Sequence, residues 1–233
     1  MTNRIIGGLL IKNEYDRYLK MFLENNLQIF DRLVVVDDHS TDNTLEYLHN
    51  YDSFIPINVF TSTDSMWSKQ EWRQRKRLFD LCQASCKEGD YIMILDCDEI
   101  ISKPLTLRNR LQTCAIDCVA LRLYDMWSKD YYRDDKYWMA HKSFYPLIVK
   151  NKKINAVWNP QSLHCGRLPM NYSIENILNF EEAKIKHYGW SDKSDRLIKY
   201  ARYMAVDPDG KYGWLDQYKS ILDEYPKLVK FEE

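Results

Sequence analysis

The chain has 233 residues, 45% hydrophobic and 29% charged, the composition of an ordinary globular protein with length for one large core or two small ones. Its 33 Lys and Arg against 34 Asp and Glu leave a formal charge of -1, so the global balance draws it neither to nucleic acid nor to anionic lipid. No apolar run approaches the roughly 20 residues of a membrane span. Met-Thr-Asn-Arg enters an apolar segment without a signal-peptide cleavage pattern, so a cytoplasmic location is expected.

The first hundred residues alternate strand and helix. Arg4 to Ile11 is a mostly apolar run, with Gly7-Gly8 allowing another backbone to approach closely. Glu14 to Leu27 has Tyr15, Tyr18, Leu19, Phe22, Leu23 and Leu27 at helical spacing. Arg32 to Val36 is a second apolar strand, followed by N-cap candidates Ser40, Thr41 and Asp42 for a helix from Thr44 to Asn50. Ile57 to Phe60 is a third strand, Gln70 to Lys87 a long helix, and Tyr91 to Leu95 a fourth strand after Gly89. This alternation predicts a parallel sheet joined by helical crossovers. The second half is more mixed. Strands are expected at Cys118 to Tyr124, Pro146 to Lys150 and Ile154 to Trp158, the last two joined by a turn at Asn151-Lys152-Lys153. Residues 159 to 182 lack periodicity and read as a long loop or lid. A short strand at Ala183 to His187 and helices at Lys193 to Met204 and Leu215 to Leu222 complete the reading. One domain spanning 1–233 is expected, with a parallel half at 1–103 and a more mixed half at 104–233.

The six cysteines form no Cys-x-x-Cys pair and are expected to be reduced and mostly buried. The 17 Tyr, 7 Trp and 8 Phe supply core packing, and such an excess also suits a cleft that stacks on sugar rings. Two segments carry chemistry. In Tyr91-Ile92-Met93-Ile94-Leu95-Asp96-Cys97-Asp98-Glu99 a buried strand ends in carboxylates at the carboxyl edge of the sheet, where open α/β folds bind ligands. Two carboxylates one residue apart suit a divalent cation that also grips a pyrophosphate. Val34-Val35-Val36-Asp37-Asp38 likewise ends a strand in acids, which can accept from a nucleobase N–H or a ribose hydroxyl. The competing reading of each segment is an acidic turn that shapes the loop and caps the next helix.

These segments resemble the family 2 glycosyltransferases of the GT-A fold. The match rests on Asp-Asp-x-Ser-x-Asp-x-Thr at 37–44, Gly-Asp-Tyr-Ile-x-x-Leu-Asp-x-Asp-Glu at 89–99 and Ile-Lys-Asn-Glu at 11–14. It covers roughly residues 4–103 in order and spacing. The fold it implies is a GT-A-like single α/β domain, a mostly parallel central sheet flanked by helices, with a mixed acceptor-side half and carboxyl-terminal helices. The activity it implies is a metal-dependent, inverting, hexosyltransferase-type transfer from a nucleoside diphosphate sugar, UDP-linked by expectation. Ile11, Lys12, Asn13, Glu14 and Asp38 would line the base and ribose pocket. Asp96 would contact the ribose or the metal shell, and Asp98 would hold Mn2+ or Mg2+. Arg75 fits the helix arginine that reaches the nucleotide, with Arg73 and Arg77 as alternatives. In the second half, Lys184-Ile185-Lys186-His187-Tyr188-Gly189-Trp190, followed by Lys199-Tyr200-Ala201-Arg202-Tyr203 and an acidic turn, resembles the end of many such enzymes, where a histidine, His187 here, can complete the metal shell.

The acceptor base is open. Ser162-Leu163-His164-Cys165-Gly166 stands where relatives often read His-Glu, and that Glu is absent, leaving His164, Asp134 and Asp135 as candidates. The acceptor itself, a glycan, lipid-linked intermediate, peptide or protein, or modified nucleobase, is not legible. Two other readings compete. A sugar nucleotidyltransferase would begin with a Gly-rich basic loop, which Gly7-Gly8 inside a strand does not supply. A non-catalytic nucleotide- or glycan-binding protein on the same scaffold would explain the missing acid.

Overall fold

A computed structural model describes residues 2–67 and 69–233. The four apolar runs of the first half become β1 (Ile5–Ile11), β2 (Arg32–Asp37), β3 (Ile57–Thr61) and β4 (Tyr91–Asp96), parallel in the order β3-β2-β1-β4. Every residue of β1 is buried, which is why the run is apolar throughout instead of alternating. Its side chains divide by parity between two cores. Ile5, Leu9 and Ile11 pack with α1 (Leu19–Asn26), while Ile6 and Leu10 pack with Leu78, Phe79 and Cys82 of α3 (Glu71–Ser85). Gly7 and Gly8 admit close neighbours, but these are side chains: the Phe30 ring on one face, Cys82 Sγ and Ile94 on the other. The third helix of this half is α2 (Thr44–Asn50).

The sheet continues through the second half, so one eight-stranded sheet carries both halves in the order β3-β2-β1-β4-β8-β6-β9-β5. The added strands are β5 (Glu99–Ile101), β6 (Cys118–Asp125), β8 (Phe144–Lys150) and β9 (Ile177–His187). Strand β8 runs antiparallel to β4 and β6, whereas β9 is parallel to β6 and antiparallel to β5. Strands β7 (Tyr131–Arg133) and β10 (Leu228–Lys230) form a separate antiparallel pair. Helices α4 (Pro104–Thr113), α5 (Lys193–Val206) and α6 (Leu215–Ser220) complete the GT-A-like architecture that the resemblance implied. No described helix is long and apolar enough to cross a membrane. Five of the six cysteines are buried, Cys86 is half-buried, and none is in a disulfide.

Three expectations are corrected. The strand at 154–158 and its turn do not form: β8 already has β4 and β6 on its two edges, and the chain leaves the sheet after Lys150. Backbone groups that a strand would use are taken by side-chain amides instead. Gln83 bonds both the N–H and the carbonyl of Ile154, and Asn171 bonds Val157 N and the Asn155 carbonyl. The first helix starts at Leu19, not Glu14, because Glu14 and Tyr15 donate their N–H groups to Thr44 Oγ1 in a turn that precedes it. The last strand of the sheet is longer than Ala183 to His187, starting at Ile177. Elements β5, α4, β7 and β10 were not read from the sequence. Pro104 at the first turn of α4 was its one local signal.

Candidate active site

Strand β4 delivers Asp96 to the sheet edge, and the chain turns through Cys97 and Asp98 into β5. Register then decides what meets these acids. Glu99 of β5 stands opposite His187 of β9, and Asp125 of β6 stands beside the same histidine. His187 Nδ1 lies 2.9 Å from Asp125 Oδ1, which also accepts from Trp190 Nε1 at 3.1 Å. His187 Nε2 points to Asp98 Oδ2 at 3.5 Å, and Lys199 Nζ of α5 donates to that oxygen at 3.1 Å. The Asp98 and Lys199 side chains are each about one-seventh exposed. Burial alone would raise the Asp98 carboxyl, yet Lys199 and His187 outweigh it and hold it well below the usual carboxylate range. His187 is the reverse case: burial would lower it, and Asp98 and Asp125 bring it up to about 10.

Asp96 faces a different pair of cations. Its Oδ1 accepts from Arg75 NH1 at 3.0 Å and its Oδ2 from Arg167 NH2 at 3.2 Å. Arg75 is itself steadied by Glu71 one turn earlier, and Arg167 grips the fully buried Glu99 with both terminal nitrogens. Glu99 Oε2 also accepts the Asp96 N–H, which locks the turn. Burial raises the Asp96 carboxyl and the two guanidinium groups more than reverse it, leaving it below its ordinary value.

Residues 11–14 are knitted to the turn after β2. Ile11 accepts the Asp38 N–H, Asn13 Oδ1 accepts the Thr41 N–H, and Lys12 reaches Ser65 Oγ. Asp38, expected to line the base pocket, is fully buried. Its carboxylate accepts from Ser65 Oγ, the Met66 and Trp67 N–H groups and Gln74 Nε2, all at about hydrogen-bond length, so it anchors the 65–67 turn. Glu14 is also buried, with Oε1 on Arg17 and Oε2 without a partner among the described residues. Burial, opposed by Arg17 and reinforced by Asp98, pushes its carboxyl up to about 8. Of the two alternatives to Arg75, Arg77 donates to Ser62 Oγ and Arg73 lies over the Trp72 ring.

The three base candidates have different partners. His164 Nε2 stands 3.0 Å from Tyr218 Oη, which donates to Asp207. Burial, then Arg202, lowers its pKa, so the ring is neutral near pH 7. Asp134 is held by Lys142 and Lys227, whose hydrogen bonds bring it down to about 2. Asp135 accepts from Arg133 Nε and the Tyr137 N–H, closing a local turn.

A divalent cation fits part of the set named from sequence. Asp98 and His187 converge, one carboxylate oxygen and one imidazole nitrogen whose opposite ring nitrogen is oriented by Asp125, the usual support of a ligating histidine. Gly189 lets these groups crowd together: an added Cβ would overlap Asp98 Oδ2 and Lys199 Nζ and stand 3.0 Å from His187 Nε2. Asp96 does not join them, since both its oxygens are spent on arginines. Among the described residues no three His, Cys, Asp or Glu side chains form a complete ligand set, so diphosphate and water oxygens would supply the rest of the shell. Sequence reasoning missed Arg167, a lone basic residue in an aperiodic loop, and named Lys199 only within the 199–203 segment, without pairing it with Asp98.

No family model matches the sequence. An uncharacterized protein of Mycobacterium tuberculosis and one of Mycobacterium bovis are each 24% identical over 222 residues, covering 86% of this chain and 51% of theirs. The chain thus spans about half the length of these curated relatives. Among solved structures, S. aureus TarS 1-349 in complex with UDP-GlcNAc superposes with a TM-score of 0.53 at 12% identity, covering 94% of this chain and 70% of that one. TarS 1-349 on its own gives 0.52 at 14% identity, over 94% and 69%. At these identities the shared property is the fold, a GT-A-like α/β domain.

Proposed function

We propose that the chain is a nucleotide-sugar-dependent glycosyltransferase of family 2 character, with a UDP-linked donor and inversion at the anomeric carbon. The observation that carries the reading is the grouping at the carboxyl edge of β4. Two acids one residue apart are each met by cations from distant segments, Asp96 by Arg75 and Arg167, Asp98 by His187 and Lys199. Departure of a nucleoside diphosphate builds negative charge at such an edge, and fixed cations in a half-buried site stabilise it most. The likeness to a protein holding UDP-GlcNAc supports the donor class.

In this reading Asp98 and His187 would hold Mn2+ or Mg2+, with His187 giving up its Nε2 proton on binding, and the imidazole donor favours Mn2+ over Mg2+. The ion supplies Lewis-acid neutralisation of the two phosphates when bound. The chain's own residues do the remainder. Asp125 and Trp190 keep the His187 ring oriented. Arg75 and Arg167 hold Asp96 in place for the ribose while presenting positive charge to the diphosphate. His164 serves as acceptor base: it is neutral at physiological pH and so can accept a proton, whereas Asp134 is tied to two ammonium groups. Transfer would take place in the cytoplasm, to a glycan, lipid-linked, peptide or protein, or modified nucleobase acceptor.

Asp98→Asn keeps the shape of the side chain and removes its charge. Turnover of UDP-sugars should fall at least a hundredfold and the Mn2+-dependent rise in melting temperature with UDP should vanish. Unchanged turnover would refute the mechanism. One observation favours a second reading, a non-catalytic nucleotide- or glycan-binding protein: His164 Nε2 is already engaged by Tyr218. Nucleotide-dependent stabilisation without release of UDP from any UDP-sugar would select it.

A further inference from the structure

The ammonium of Lys199 is bound to the same Asp98 oxygen that a divalent ion shared with His187 would use. Asp98 Oδ2 and His187 Nε2 are 3.5 Å apart, a span that one ion about 2.1 Å from each can bridge. Lys199 Nζ lies 3.1 Å from the same Asp98 oxygen and overlaps the Cβ position of Gly189 that Asp98 also overlaps. An ammonium and a divalent ion cannot both touch one carboxylate oxygen in a half-buried site without strong mutual repulsion.

The placement of Lys199 is built rather than incidental. The start of α5 is pinned at several points. Asp192 caps it through the Ser194 N–H, buried Asp195 accepts from Tyr18 Oη and Arg17, and Arg196 donates to the Trp190 carbonyl. One turn further on, the Lys199 ammonium lies 4.5 Å from the centroid of the Trp190 ring, the residue that also bonds Asp125. Its four-carbon stem lets the ammonium swing away while the helix stays fixed. Arg202, three residues along α5, lies over the Trp67 and Tyr203 rings, and its buried Nε has no hydrogen-bond partner among the described residues.

We propose that Lys199 is a cation gate on Asp98. In the nucleotide-free protein the ammonium neutralises Asp98 and competes with a divalent ion for it. The donor's diphosphate draws the ammonium onto phosphate oxygens and so releases the Asp98–His187 pair. Ion and nucleotide binding are thereby coupled through one side chain. The identity of the displacing group rests on the glycosyltransferase reading; the competition at Asp98 does not.

Titration of free Mn2+ by its electron paramagnetic resonance signal tests this on the full chain, without activity. Lys199→Met without nucleotide should bind Mn2+ at least tenfold more tightly than wild type, and Lys199→Arg should restore weak binding. Adding UDP should tighten Mn2+ binding in wild type and change it far less in Lys199→Met. A second substitution, His187→Ala, in the Lys199→Met background should remove the gained affinity, which separates a gate from a general change in net charge. Equal nucleotide-free Mn2+ affinity in wild type and Lys199→Met would overturn the gate and leave the ion site standing. No Mn2+ binding to either protein would overturn both the gate and the metal-dependent part of the proposed function.

Discussion

Gly189 shows how little space the site leaves. Any side chain there would meet the Asp98 carboxylate and the Lys199 ammonium, both of them mobile ends rather than backbone. Gly189→Ala should therefore fold, at a cost of about 1 kcal/mol, since the neighbours can give way. It should nevertheless lose Mn2+ affinity and most turnover, and retention of both would show that the space over Gly189 is not used. Glu14 gives a pH test. Its carboxyl rises from 4.5 to about 8 through burial, so the folded protein keeps a proton there that the unfolded chain has lost. Its contribution to stability is fully present below about pH 4.5 and is lost as pH rises through about 8. The melting temperature of the metal-free protein should decline over that window, and Glu14→Gln, a mimic of the protonated form, should flatten the decline. Parallel curves for the two proteins would rule the assignment out. At this scale the acids were legible in sequence, because acids that end an apolar strand are a local pattern. Two of their four cationic partners were not paired with them: Arg167 lies 71 residues from Asp96, and Lys199 lies 101 from Asp98.

The segment after β8 has no regular structure, yet it is fastened to the site. Arg167 places two nitrogens on Glu99, a side chain with no exposure, and a third contact on Asp96. Arg167→Met would leave a buried carboxylate without its cation, which typically costs about 3–5 kcal/mol. Chemical denaturation should show a loss of that order, and Glu99→Gln in the same chain should recover much of it. A loss below about 1 kcal/mol would mean that the segment is docked by its apolar residues, such as Trp158 and Cys165, instead. The absence of periodicity in 159–182 correctly indicated an irregular segment up to the start of β9. It did not reveal that Gln83 and Asn171 would satisfy the backbone of the neighbouring 154–157 stretch. Side-chain amides that replace a strand partner leave no trace in hydrophobic spacing, so Ile154 to Trp158 looked like a strand.

Over the whole molecule, the carboxyl terminus closes back on the acceptor-side half. Strand β10 pairs with β7, Phe231 packs edge-on against Tyr124, and Lys184 and Lys186 reach the last two residues. Removing residues 227–233 should lower the melting temperature by about 5 °C, on the scale of 2–4 °C per kcal/mol for a chain of this size. It should leave UDP binding intact, because none of the site residues lies in the removed stretch; loss of nucleotide binding would show that β7 and β10 support the site. The aromatic excess finds its place here as well. Trp127, Trp138 and Trp190 pack edge to face in a core beneath α5 and α6, and Trp190 passes that rigidity to Asp125. The sequence by itself determined the parallel order-forming strands β1 to β4, the crossover helices between them and the delivery of Asp96 and Asp98 to one edge. Each depends on apolar runs, spacing and strand-end residues within a few positions of one another. Only the tertiary structure decided the mixed pairing of β5, β6, β8 and β9, the burial of Asp38 under the 65–67 turn, and the division of cations that puts arginines on Asp96 and Lys199 with His187 on Asp98. Those outcomes follow from sheet register and loop docking between segments far apart in the chain, where no local pattern specifies the partner.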